Sequence, residues 1–258
     1  MGGRGSSSHR GGGGGAGRLA GRLAGAQSFL ERAYGLVHAQ AILSLIQNAP
    51  AHIQELWEDF GASFRASRMN RDSDEAYYSP GDNSVHLGID YVARGDSIST
   101  PYSTVFHEYG HMTDYLIARE LGGGGYRAYS DMYKGGLLGS TAKRELEAHI
   151  ARAQRIRPGL SREEAARFII SEARGKYSHR DRSDISDMME GAGIGVAYPL
   201  GAGHGLNYWS TRGNGKEIFA EITSAEAAHP GSLKAIKDYF PETYKVYREM
   251  LTERKRNR

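Results

Sequence analysis

Residues 107–111 read His107-Glu108-Tyr109-Gly110-His111, and that pentapeptide restricts the backbone around it. On a helix two histidines four apart project from one face, one turn apart. On that face both imidazoles can reach a single tetrahedral Zn²⁺. Glu108 lies about 100° round the same turn, beside the open position of such a metal. There a carboxylate can take a proton from a coordinated water and return it to a leaving amine. The flanks agree with a helix. Pro101 suits its start, and Gly122-Gly123-Gly124-Gly125 ends it. Val105, Met112, Leu116 and Ile117 recur at near-helical spacing, which predicts one packed stripe and one face on a cleft.

A catalytic zinc needs a third protein ligand. The chain has no cysteine, so that ligand is His, Asp or Glu. Glu217 and Glu221 stand four apart in Gly215-Lys216-Glu217-Ile218-Phe219-Ala220-Glu221-Ile222, with Ile218, Phe219 and Ile222 on the apolar side of the expected helix. One carboxylate would bind the metal and the other would accept an N–H from a ligand imidazole. The spacing does not separate the two roles. The same pattern also suits an ordinary amphipathic helix with solvated glutamates. Asp114 and His204 are the next candidates for the third position.

The pair of motifs resembles the gluzincin zinc metallopeptidases, and more narrowly the catalytic-domain family of anthrax lethal factor, over about residues 70–250. That resemblance implies an α+β, zincin-like fold, mainly helical, with a small antiparallel or mixed β-sheet beside the active-site helix. It implies Zn²⁺ on His107, His111 and Glu217, with Glu108 as general base and Glu221 as the outer carboxylate. Asp114, three residues past His111, matches an acidic position there, and at i+3 it could fix an imidazole tautomer. Tyr208 stands nine residues before Glu217, slightly farther than the family's tyrosine, whose phenol stabilises an oxyanion. His204 is a second candidate for that role. Ser183-Asp184-Ile185-Ser186-Asp187, residues 203–209 and residues 217–221 are also similar to metallopeptidase-like domains associated with phage head-morphogenesis (minor capsid) proteins. The activity implied is a zinc metalloendopeptidase acting on a protein or peptide, with phage head proteins as candidate partners. Two other readings stay open: a morphogenesis protein that keeps the fold with little activity, and a bacterial toxin effector domain.

The remainder bounds these readings. At 258 residues the chain can bury one sizeable core. The net charge of +3 gives no strong case for nucleic acid, and the basic end Arg254-Lys255-Arg256-Asn257-Arg258 reads as a frayed, solvated terminus. No apolar run suits a membrane span or a signal peptide, which with the absent cysteines predicts a cytoplasmic setting, in a host cell or a phage particle. Residues 1–25, rich in Gly, Ser and Arg, read as a flexible arm ahead of a single domain over 26–258. Helices are expected over 26–48 (Phe29, Leu30, Val37, Leu43 and Ile46 inward) and 51–69 (Ile53, Leu56, Trp57, Phe60 and Phe64 inward). Residues 76–88 read as a hairpin about Pro80-Gly81-Asp82-Asn83, its edge able to bind an extended peptide and its His86 a surface or packing residue. A loop is expected over 126–140, helices over 141–156 and 161–174 (the second opening on a capping box at Ser161), and a glycine-rich hairpin or loop over 191–206. Helices near 216–228, 231–239 and 242–254 close the chain.

Overall fold

The computed structural model of the chain describes residues 21–123, 127–209 and 213–257. Most of the expected arm lies outside them. The expected boundary at residue 25 falls inside an ordered element, because helix α1 (Ala24–Tyr34) is preceded by Leu23, which is buried. Residues 26–48 form two helices, not one. Gly35 takes φ +87°, a conformation open to glycine, and separates α1 from α2 (Leu36–Asn48). The break turns Val37, expected inside, out to solvent at 76 % exposure. Helix α3 (Ala51–Phe60) ends in a 3₁₀ turn (Gly61–Ser63), short of the expected residue 69, while Ile53, Leu56, Trp57, Phe60 and Phe64 are all buried as their spacing requires.

Among the described residues the only sheet is the expected hairpin, β1 (Ala76–Ser79) antiparallel to β2 (Ser84–Leu87), with Tyr77 opposite His86. His86 stacks on Tyr77 at 4.5 Å and bonds Asp82, a packing role as anticipated. The backbone of residues 65–67 bonds Val85 on the far side of β2, so β2 is flanked on both sides and β1 forms the edge. A short helix α4 (Ile89–Arg94) leads into α5 (Ser103–Glu120), which carries the His107–His111 pair.

Helix α5 runs through the centre of the molecule. The sequence predicts one packed stripe, but Val105, Phe106, Tyr109, Met112, Ile117 and Ala118 are all at most 1 % exposed, so α5 is covered on most of its circumference. Beneath it Phe29, Trp57, Phe64, Phe106 and Tyr109 form an aromatic cluster with centroid separations from 4.8 to 6.1 Å. The helix closes in a Schellman motif: Gly123 N–H bonds Ala118 C=O, Gly122 N–H bonds Arg119 C=O, and Gly122 takes φ +78°.

Residues 126–140, expected as loop, contain the short helix α6 (Tyr129–Met132) and the start of α7 (Leu137–Ile156). Helix α8 (Arg162–Lys176) opens on the expected capping box, Ser161 and Glu164 each satisfying the other's backbone N–H. Then come α9 (Ser183–Ala192), buried along its length, the one-turn α10 (Leu206–Trp209), α11 (Gly215–Ala228), α12 (Pro230–Tyr239) and α13 (Pro241–Arg256). As far as Arg256 the basic end is helical and not frayed. Helix α13 includes Arg254, 1 % exposed and ion-paired with Asp59 at 2.9 Å and Glu120 at 2.8 Å, so internal acids neutralise part of the charge that looked free.

Helices α5 and α11 pack backbone against backbone in the site. A Cβ built on Gly110 would lie 3.0 Å from the Cα of Ala220 and 3.3 Å from the Cβ of Thr223, so the two backbones nearly touch there. This predicts opposite outcomes for two glycine-to-alanine changes. Gly110→Ala gains about 1 kcal/mol of helix propensity but overpacks a contact for which such changes cost about 1–3 kcal/mol, and is expected to lower stability. Gly175→Ala, in α8 with nothing near its Cβ, should raise stability by about 0.5–1 kcal/mol. Urea midpoints measure both, and equal midpoints for the two variants would contradict the packing argument.

Candidate metal centre

Three of the expected residues meet where α5 and α11 cross. The Nε2 atoms of His107 and His111 are 3.1 Å apart. Glu217 Oε2 lies 3.2 Å from His111 Nε2 and 3.8 Å from His107 Nε2. A tetrahedral ion with bonds of about 2.0–2.1 Å requires ligand atoms about 3.3–3.4 Å apart. The triangle brackets that edge, so the group can hold a metal ion. Glu217 is 2 % exposed and its Oε2 has no hydrogen-bond partner, although a buried carboxylate oxygen ordinarily finds one. An ion at the triangle would satisfy it.

Glu221, one turn along α11, lies behind His107, its Oε2 3.5 Å from His107 Nδ1. This is the placement of an outer carboxylate that fixes a ligand imidazole. Glu108 is 6 % exposed and lines the same cleft as His107, His111 and Glu217. The cleft, about 700 Å³ including its open mouth, is walled by Ala76, Tyr77 and Tyr78 of β1 on one side and by His204, Tyr208 and Lys216 on the other. That is a usual size for a ligand site.

The electrostatics follow from two carboxylates packed against two imidazoles. Burial opposes charge on Glu217, yet the neighbouring His111 and His107 hold its carboxyl well below the usual range. Burial likewise opposes charge on His107, but the carboxylate of Glu221, with Glu108 and Glu217, raises its pKa well above the ordinary value. Glu221 goes the other way. Desolvation, aided by Asp184 and Asp187 and opposed by His107, pushes it up to about 8. Without a metal, protons supply the positive charge that this cluster attracts.

Asp114 does not reach a histidine. Both its oxygens accept from Ser130, the backbone N–H at 2.8 Å and the hydroxyl, so it ties α6 to α5 from a fully buried position. The expected tautomer-fixing role is replaced by a structural one, because Asp114 points away from the cleft. Tyr208 is at the site, its hydroxyl donating to Glu217 Oε1. His204, from the glycine-rich segment, stacks on Tyr208 at 4.1 Å and pairs through Nδ1 with Asp187 at 2.8 Å. Burial would lower its pKa, but the hydrogen bond and charge of Asp187 outweigh that and raise it. Asp187 and Glu190 of α9 were missed as site residues. The sequence signal was an acid every three residues, Asp184, Asp187 and Glu190, interleaved with Ile185, Met188 and Met189. Of the two forms expected for 191–206, a hairpin or a loop, residues 193–205 take the loop.

No family model, curated protein or solved structure matches the chain.

Burial lifts the Asp114 carboxyl to about 8, outweighing the Ser130 bonds. Its unfolded value is about 3.9, so the folded chain holds a proton that the unfolded chain releases. The stability this contributes is full below about pH 4 and is lost as pH rises towards 8. Asp114→Asn removes the titration and keeps an acceptor for Ser130. Relative to the parent, metal-free Asp114→Asn protein should gain stability between pH 5 and pH 8, read from urea midpoints. A constant difference would show that Asp114 does not titrate in this window.

Proposed function

We propose that the chain is a zinc-dependent endopeptidase of the gluzincin type, with His107, His111 and Glu217 as ligands. The observation that carries this reading is the donor triangle beside a buried glutamate, Glu108, that no hydrogen bond or ion pair among the described residues ties down. Bound zinc supplies Lewis acidity, which polarises a carbonyl and acidifies water.

The chain's own residues do the rest. The open edge of β1 lies along the cleft and can hold an extended peptide by backbone pairing, so the substrate is a protein or peptide. Glu108 accepts the proton of the attacking water as its oxygen bonds to the scissile carbon. The same proton passes to the amine nitrogen as the C–N bond breaks. The His204 ring, held by Asp187, stands on the opposite wall beside the Tyr208 phenol; the phenol, on releasing its bond to Glu217, can donate to the oxygen that gains charge. A fold that kept the metal only for support would have no use for Glu108 in this position, which favours a peptidase over a structural protein.

The ligand roles predict an order of metal loss. Glu217→Ala removes a donor atom of the triangle and should cost most of the bound zinc. Glu221→Ala removes only the support of His107, for which losses of about 10–100-fold in affinity or activity are usual. Glu108→Gln should keep one zinc per chain and abolish peptide hydrolysis, because an amide cannot accept the proton. Metal analysis and turnover of a peptide library read all three. Hydrolysis at the parent rate by Glu108→Gln protein would overturn the mechanism, and a greater zinc loss in Glu221→Ala than in Glu217→Ala would exchange the two ligands.

A further inference from the structure

The loop that brings His204 and Tyr208 to the metal site has no strand or long helix to satisfy its backbone. Gly195, Gly201, Gly203 and Gly205 all take positive φ, so the chain turns repeatedly. Its N–H groups must still be paired where they are buried. They are paired by α9. Ser186 accepts from Leu200 N–H at 3.0 Å and donates to Ala202 C=O. One turn on, Glu190 takes more of the load. Its Oε1 accepts from Tyr198 N–H at 2.9 Å. Its Oε2 accepts from His204 N–H and Gly205 N–H, each at 2.9 Å, and from Trp209 Nε1 at 3.0 Å. Glu190 is 2 % exposed.

We propose that Glu190 is a positioning residue of the metal site: its buried carboxylate fixes the loop over 193–209 and so sets His204 and Tyr208 against Glu217. Three of the four donors belong to His204, its neighbour Gly205 and Trp209, the residue after Tyr208. They bracket the two side chains on the cleft wall. The packing leaves the loop little freedom to shift while these bonds hold. A Cβ on Gly203 would lie 2.6 Å from Glu190 Oε2, and one on Gly191 would lie 2.8 Å from the Trp209 ring. A carboxylate suits the place because it accepts on both oxygens. An amide of the same shape would turn an NH₂ towards N–H donors.

The catalytic consequence rests on the peptidase reading above, so the test includes readouts that do not. Glu190→Gln and, as a second variant acting from the loop side, Gly203→Ala are compared with the parent, zinc-loaded. Amide exchange at Tyr198, His204 and Gly205 should speed up by at least about 10-fold while α5 and α11 keep their protection. Of the two 5-fluorotryptophan resonances, for Trp57 and Trp209, only that of Trp209 should move. Zinc should stay at one per chain, and kcat should fall by about 10–100-fold with KM little changed. Unchanged exchange and fluorine spectra in both variants would overturn the anchoring. Loosening that spreads to α5 and α11, or zinc loss as large as in Glu217→Ala, would make Glu190 a general support of the fold. A loosened loop with parental kcat would show that the loop does not position the chemistry. A parent that binds zinc but cleaves no peptide would count against the peptidase reading, with exchange, fluorine and zinc still deciding the anchoring.

Discussion

The near contact of two helix backbones, Gly110 on α5 against Ala220 on α11, is the constraint on which the site depends. A glutamate side chain is short. Glu217 can bring an oxygen to 3.2 Å from His111, and Glu221 can stand 3.5 Å behind His107, only because no side chain separates the helices at their crossing. The glycine inside the histidine motif is therefore a packing residue that sets a ligand distance. The aromatic cluster below α5 works from the other side, since Tyr109 and Phe106 hold the helix against Trp57 and Phe64 and leave the histidine face towards the cleft.

The same closeness sets the charge balance. Glu217 and Glu221 press on two imidazoles in a region almost closed to solvent, and Asp184 and Asp187 add negative charge from α9. In the metal-free chain His107 keeps a proton well above its ordinary range. A cation entering the triangle would replace that proton, so metal binding would release protons and weaken in acid. A metal ion and a proton would compete for the same ring nitrogens, and the Glu217 oxygen that lacks a hydrogen bond lies 3.2 Å from one of them.

Much of the site was legible because spacing along a helix is a geometric statement. His107, Glu108 and His111 could not be helical without sharing a turn, and Glu217 and Glu221 were bound to stack one above the other. That α5 and α11 face each other could not be read from either helix, and only the resemblance to gluzincins chose between the two glutamates. Asp114 misled because an i+3 position fixes an angle around the axis but not which neighbour lies there, and α6 was hidden in a stretch of polar and tyrosine-rich residues. Gly35 was passed over inside a helical pattern that its positive φ breaks. The role of Glu190 was hidden for a different reason. Its four donors come from residues 198–209, and nothing in the sequence shows that a loop without strands will fold back on a glutamate.

The central claim is that His107, His111 and Glu217 form a preformed seat for one tetrahedral zinc. X-ray absorption at the zinc edge of the loaded protein tests it most directly. The account predicts a four-coordinate ion with the outer-shell scattering of two imidazoles and light-atom bonds of about 2.0–2.1 Å. A six-oxygen shell without imidazole scattering, in protein that has taken up one zinc per chain, would place the metal elsewhere and contradict it.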